Sequence, residues 1–447
     1  MRESRKPLGS VDTASLFGAH RDRLRRPCGL AVSGGSDSTA LMVLFAEWLR
    51  GEGGEIGAHM VLTVDHRLRP ESTAEAQAVA ARATFLGFRH TILAWEGPKP
   101  STGLQAAARH ARYQLMRDHL RAHGCNTLVT AHTLDDQAET FLMRLARGSG
   151  LDGLSAMSPV VSTGEAGDPR PLVIVRPFLD VPKARLRATL AERGIGWVED
   201  PSNQSTAFER VRWRAAREQL HALGLTDEMI ASSARRLRRA RAAVSDLADH
   251  YFHPAAGVVH AYPFGVLRID RGRMPAASEV FLRVLGRCIA LAGGTGEWVS
   301  LAKLEVIAAA LQRGETGTWT LARAKITASA NAIEVEREPG RQPLPRMTLA
   351  AGSEALWDGR FRVGVAKEFG GELQVRALET QGLAELRRRA AGARPSRRLR
   401  LAPSFWSGDE LRAVPCAGFW QDEPLRKVVY AEFTGLHYNP EAEQPAF

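Results

Sequence analysis

The chain has 447 residues, a formal net charge of +11 and an apolar fraction of 44%, the figures of a soluble, multidomain protein with a filled core. The basic surplus favours a polyanionic partner, nucleic acid above all. Four scattered cysteines (Cys28, Cys125, Cys288, Cys416) form no CxxC and no paired spacing, which argues against a zinc site, an iron–sulfur cluster or a disulfide framework. Residues 1–27 mix charges without an apolar core and do not read as a signal peptide. No run reaches the ~20 apolar residues of a membrane span, and the expected location is cytoplasmic.

Short apolar runs alternate with amphipathic stretches from Cys28 to about Leu145. Strands are predicted at Cys28–Val32, Met60–Val64, Thr91–Trp95 and Leu128–Ala131. Helices are predicted over Ser38–Arg50, Ser72–Leu86, Leu104–His123 and from Leu134. This alternation implies right-handed βαβ units and a Rossmann-like parallel sheet, with the functional site at the carboxyl ends of the strands. Ser158–Arg170 is rich in Gly, Ser and Pro and reads as a loop. Another strand follows at Leu172–Val175, then a helix opening near Pro182 and ending at Gly194. Residues 210–311 read as mainly helical, and short alternating segments after Thr318 suggest a small domain containing strands.

Ser33-Gly34-Gly35-Ser36-Asp37-Ser38 lies between the first strand and its helix. Adjacent glycines let the backbone approach an anion, and the exposed N–H groups and helix dipole favour phosphate. The loop of kinases and GTPases that ends in Gly-Lys-Ser or Gly-Lys-Thr does not occur here. Asp37 beside a phosphate calls for a cation between them, for which Mg2+ is the natural choice. A second cluster, Ala131-His-Thr-Leu-Asp-Asp-Gln-Ala-Glu-Thr140, follows the fourth strand. His132, Asp136 and Glu139 share one helix face, while Leu134, Leu142 and Leu145 are expected to point into the core. Asp135, Asp136 and Glu139 repel one another, so a metal ion or a substrate ammonium should sit among them.

The loop resembles the PP-loop of the ATP pyrophosphatases (the PP-loop/HUP fold), and the wording around it is more specific. The segment from Ala131 to Leu154, together with Val64–Ser72, Ala108–Tyr113, Arg176–Asp180 and Trp197–Asn203, is similar to the tRNA(Ile)-lysidine synthetases over about residues 28–220. The resemblance implies ATP, Mg2+ and L-lysine as reactants or cofactor. It implies a tRNA(Ile) with a CAU anticodon as partner, whose wobble cytidine becomes lysidine with release of AMP and pyrophosphate. Ser33, Gly34, Gly35, Ser36, Asp37 and Ser38 would then hold ATP, with Asp37 on the metal. Arg112 would neutralise phosphate, and Asp136 and Glu139 would receive lysine near His132. Whether a carboxylate or His132 takes the proton of the attacking amine is open.

Arg210, Arg212, Arg214 and Arg217 follow the Asp-Pro-Ser-Asn segment, and Arg235, Arg236, Arg238, Arg239 and Arg241 crowd one helix. Of these, Arg210, Arg212, Arg235 and Arg239 are candidates for tRNA phosphates. Val211 stands where the family usually has Asn. The expected organisation is an extension (1–27), the catalytic domain (28–215), a mainly helical tRNA-binding domain (216–315), a small α+β domain that also binds tRNA (316–432) and a tail (433–447). Trp406, Phe419 and Trp420 read as core residues first and base-stacking residues second. A homodimer is open. The alternatives are another PP-loop tRNA-modifying ligase and a catalytically inactive tRNA-binding module. The intact Asp37, Asp136 and Glu139 speak against the second.

Overall fold

A six-stranded sheet organises the first part of the computed structural model, which describes residues 6–67, 72–97, 99–100, 102–163, 170–199, 209–295, 299–340, 343–389 and 395–437. The chain enters through α1 (Ser10–Gly18) and α2 (Arg21–Leu24), then alternates β1 (Gly29–Ala31), α3 (Ser36–Gly51), β2 (Met60–Asp65), α4 (Ser72–Leu86), β3 (Arg89–Ala94) and α5 (Leu104–Ala122). It continues through β4 (Thr127–Val129), α6 (Leu134–Ala146), α7 (Leu151–Leu154), β5 (Val160–Thr163), β6 (Leu172–Val175) and α8 (Lys183–Glu192). Three further helices follow, α9 (Glu209–Ala215), α10 (Arg217–Ala222) and α11 (Asp227–Phe252).

The strand order is β3-β2-β1-β4-β6-β5, with every pairing parallel except the antiparallel edge pair β5–β6. The order steps out from β1 in both directions, so the β1/β4 boundary is a switch point where an open α/β sheet leaves a crevice. Helix α3 is buried on nearly every side, Ala40 to Ala46 included, and fills the space under β1. Leu8, Phe17 and Leu24, ahead of β1, are buried in the same core. Phe17 of α1 is fully buried against Phe45, Trp48 and Phe178, and the Leu8 N–H donates to Thr189 Oγ1 at 2.8 Å.

Two expectations need correction. The Gly/Ser/Pro-rich stretch read as loop contains β5, whose Val161 is buried against β6. Leu145 does not reach the core: it is exposed, because the apolar periodicity of α6 outruns the elements packed against it.

The described residues up to Arg241 form one compact unit and those from Ala242 a second. In the second unit a hairpin of β7 (Val259–Tyr262) and β8 (Val266–Asp270) precedes α12 (Ser278–Gly293) and α13 (Leu301–Gln312). Next come β9 (Gly317–Leu321), β10 (Ala324–Ala328), β11 (Ala332–Arg337), β12 (Met347–Ala350), β13 (Ser353–Trp357), β14 (Phe361–Val365), β15 (Glu372–Ala377) and α14 (Glu379–Arg389). The last elements are β16 (Pro403–Ser407), β17 (Glu410–Val414), β18 (Phe419–Trp420), α15 (Glu423–Val428) and β19 (Val429–Phe433). They make three antiparallel sheets, ordered β7-β8-β11-β10-β9, β12-β15-β16-β17-β18 and β13-β14-β19. The buried Asp358 accepts from Arg323, Arg337 and Arg360, tying the end of β11 to the turns before β10 and β14. Trp406 is buried, and Phe419 and Trp420 pack against the same core. Among the described residues no helix is long and apolar enough to cross a membrane.

Candidate active site

The loop Ser33–Ser38 leaves β1 and turns directly into α3. Gly34 adopts φ +88°, a conformation open to glycine but strained for other residues. Its carbonyl accepts from Val198 N at 2.9 Å and from Thr39 Oγ1 at 3.1 Å, which fixes the turn. A Cβ at Gly34 would meet Val79 at 3.3 Å and Val198 at 3.4 Å. Ser38 Oγ accepts from Ser33 N at 3.2 Å and donates to Gly35 O at 3.1 Å. No side chain caps α3, whose N-cap is Gly35. Among the described residues no side chain accepts from its first-turn N–H groups, the arrangement that receives an anion.

Asp37 sits in that first turn with its side chain 19% exposed. Oδ1 accepts from Ser36 Oγ at 3.1 Å, and Oδ2 lies 2.9 Å from Lys183 Nζ. Burial pushes the Asp37 carboxyl above its ordinary range; Lys183 works against this, and the nearby Asp136 carboxylate adds to it. Lys183 thus touches both sequence motifs, its main-chain N–H on Asp135 and its ammonium on Asp37.

Helix α6 starts differently. Thr133 caps it in a reciprocal box: Asp136 N donates to Thr133 Oγ1 at 3.4 Å, and Thr133 N donates to Asp136 Oδ2 at 2.9 Å. His132 is half-buried and contacts Thr130 Oγ1 through Nδ1 at 2.9 Å. Asp135 Oδ2 accepts the Lys183 main-chain N–H at 2.8 Å, and its Oδ1 accepts from Arg217 at 2.7 Å. Glu139 is buried and takes the Arg214 guanidinium in two bonds, through Nε and, at 3.1 Å, through Nη2. Burial of Arg214 would lower its pKa, but Glu139, with Asp136 and Asp135 behind it, raises it instead. The cation demanded by the clustered carboxylates is thus met by side chains of α9 and α10, Arg214 on Glu139 and Arg217 on Asp135. A shallow cleft opens on this side, lined by Asp135, Glu139, Asp227, Trp213, Arg214 and Arg217; none of Ser33–Ser38 lines it.

Arg112 is half-buried on α5, its guanidinium 5.4 Å from the Tyr113 ring centre. Burial would raise the Tyr113 phenol, but Arg109, Arg112 and Arg176 together lower it, which marks a strongly positive patch. At the end of β2, Asp65 accepts from Ser72 Oγ at 2.7 Å, Thr73 Oγ1 at 2.9 Å and Arg67 N at 2.9 Å.

The basic residues divide. Arg214 and Arg217, close in sequence to Arg210 and Arg212, bind the α6 carboxylates Glu139 and Asp135, because buried or half-buried acids need counter-charge. Arg212 is exposed; the Arg210 side chain and residues 200–208 lie outside the described residues. On α11, Arg238 donates to Met157 O at 2.7 Å and Arg241 to Ser155 Oγ at 3.4 Å, while Arg235, Arg236 and Arg239 are exposed. Arg235 also pairs with Asp180 at 2.8 Å. Sequence reasoning missed Lys183, Arg214, Arg217 and Asp227 as members of the site. One signal was readable: Lys183 places a cation in a helix first turn, against the dipole.

The PP-loop domain family (ATP_bind_3) matches residues 13–219. The chain is 43% identical to a tRNA(Ile)-lysidine synthase of Methylobacterium nodulans, over 76% of this chain and 99% of that one. It is 42% identical to the tRNA(Ile)-lysidine synthase of Bradyrhizobium diazoefficiens, over 75% of this chain and 89% of the relative. A solved U34-tRNA thiolase of Methanococcus maripaludis is similar at 16% identity and a TM-score of 0.42, covering 53% of this chain and 78% of that one.

Proposed function

The chain belongs to the tRNA(Ile)-lysidine synthase family, and on that footing we propose that it uses ATP to join L-lysine to the wobble cytidine of an isoleucine tRNA with a CAU anticodon. The observation that carries this reading is the pairing of two unlike helix starts across one crevice. An uncapped glycine loop faces a self-capped carboxylate cluster, with Asp136 close enough to Asp37 to raise it. One start suits a nucleotide phosphate, the other the ammonium groups of lysine.

Cytosine is a poor electrophile at C2, because its carbonyl oxygen leaves badly. Transfer of AMP to that oxygen makes it part of a good leaving group, which the neutral ε-amine of lysine then displaces. Asp37 fits a magnesium site. Its donors are oxygens, a second carboxylate lies close, and Mg2+ is held by one or two carboxylates plus substrate phosphates. Among the described residues no group of three or more His, Cys, Asp or Glu could hold a metal alone, so phosphate oxygens would complete the shell. When bound, the metal offsets charge on the phosphates. Ser36 and Ser38 fix the loop, and Arg112 supplies positive charge beside the crevice. Glu139 and Asp136 take a substrate ammonium in place of, or beside, Arg214. His132 or a carboxylate accepts the amine proton. The exposed Arg212, Arg235 and Arg239, with Arg210, serve tRNA phosphates. Residues 216–315 and 316–432 are kept in this proposal as tRNA-binding parts.

The test is incorporation of radiolabelled L-lysine into transcribed tRNA(Ile) with a CAU anticodon, with and without ATP, beside Asp37→Ala. We expect ATP-dependent label that falls by about 10²–10³-fold in the variant. Wild-type protein that binds this tRNA yet transfers no lysine would overturn the reading.

A further inference from the structure

Lys183 is drawn into the site from the far side of the sheet order, and nothing in the reaction above uses it. It is the first residue of α8, whose N-cap is Pro182 and which has no acidic residue in its first turn. A lysine there opposes the helix dipole, so it requires a partner outside its own helix. Two are present. Its main-chain N–H donates to Asp135 at 2.8 Å, and its ammonium lies 2.9 Å from Asp37 Oδ2. One residue therefore bridges the carboxylate cluster and the phosphate loop. The side chains of Lys183 and Asp37 are 33% and 19% exposed, so the pair is largely shielded but open to the crevice.

The ammonium faces the carboxylate assigned to the metal, at the mouth of an uncapped helix. ATP entering there brings several negative charges and claims Asp37 through its cation. An ammonium on a flexible four-carbon stem then has new anionic oxygens within reach of a side-chain rotation. We infer that Lys183 is a phosphate-contacting residue of the ATP site: it neutralises Asp37 before the nucleotide arrives, then pairs with the pyrophosphate portion. In the transfer step the cytidine oxygen bonds to the α-phosphorus as the bridging bond to the β-phosphate breaks. The electron pair leaves on pyrophosphate, and the Lys183 side chain, close to Asp37, offsets that charge. This rests on Ser33–Ser38 being the ATP site.

The experiment compares full-length wild type, Lys183→Met, Lys183→Gln, Lys183→Arg and Asp37→Ala. Calorimetry with Mg2+ measures binding of α,β-methylene-ATP, AMP and pyrophosphate, and thermal melts check folding. The expected result is an ATP-analogue affinity about 10–100-fold weaker in Lys183→Met and Lys183→Gln, with AMP affinity within about twofold and most of the loss restored in Lys183→Arg. Pyrophosphate binding should weaken along with the analogue. Equal weakening of analogue and AMP, or no weakening while Asp37→Ala loses the analogue, overturns the role of Lys183 and leaves the ATP site standing. Analogue binding unchanged in Asp37→Ala as well would instead bring down the ATP-site reading. If Lys183→Met fails to fold, Lys183→Gln, which retains a polar end group, gives the same reading.

Discussion

Helices α3 and α6 begin at the carboxyl ends of the paired strands β1 and β4, yet their first turns are prepared for opposite charges. The α3 turn has glycines, hydroxyls and no side-chain cap, so its N–H groups and dipole are offered to an anion. The α6 turn is closed by Thr133 and Asp136, and what it offers is carboxylate. A helix N-terminus at a switch point is therefore not an anion site by position alone. The cap decides whether the backbone or the side chains speak to the ligand. The largest expected effect separates the two. Glu139→Gln removes the charge that Arg214 now answers, and should raise KM for lysine about 10²-fold while KM for ATP stays within about twofold. Asp37→Asn should do the reverse. Steady-state kinetics with each substrate varied decides it: a variant that weakens both substrates equally breaks the division.

A smaller effect tests the geometry of the α3 turn. Gly34 holds φ +88°, and an added Cβ would press on Val79 and Val198 at 3.3 and 3.4 Å. Forcing an L-residue into this region costs about 1–2 kcal/mol. Gly34→Ala should thus lower ATP affinity about tenfold and reduce Tm by a few degrees. Lysine binding should follow only through the nucleotide. An unchanged ATP affinity, read by calorimetry, would mean the backbone of this turn does not meet the phosphates.

Much of this arrangement can be read from the sequence, because the informative signals are local. The strand at Leu172–Val175 and the helix at Ser72–Leu86 appear with the predicted bounds, each set by an unbroken apolar run or a regular period. The glycine loop and the acid cluster carry their chemistry within a few residues. What escapes reading is what depends on distant partners. Strand β5 is an edge strand inside a turn-rich stretch, and only pairing with β6 makes it a strand. The burial of Phe17 needs Phe45 and Phe178, far along the chain. Arg214 lies 75 residues from Glu139, and no local pattern tells a carboxylate-bound arginine from one facing RNA. Leu145 shows the converse, a local period that continues after its neighbours stop.

The smallest expected effect concerns the cap that makes α6 different. Thr133 is buried, and its hydroxyl donates to Asp136 Oδ2 at 3.1 Å while accepting the Asp136 N–H. Loss of such a cap costs about 1 kcal/mol, so Thr133→Ala should shift the denaturation midpoint of the catalytic unit accordingly, and Thr133→Ser should restore it. The Asp136 N–H would then lose its acceptor, making the α6 start more like that of α3. Asp136 would lose part of its anchor, so lysine affinity should fall by a small factor while ATP affinity holds. If Thr133→Ala leaves lysine untouched and weakens ATP, the carboxylate start belongs to the nucleotide. The contrast between the two helices would then describe a single anion site with two walls.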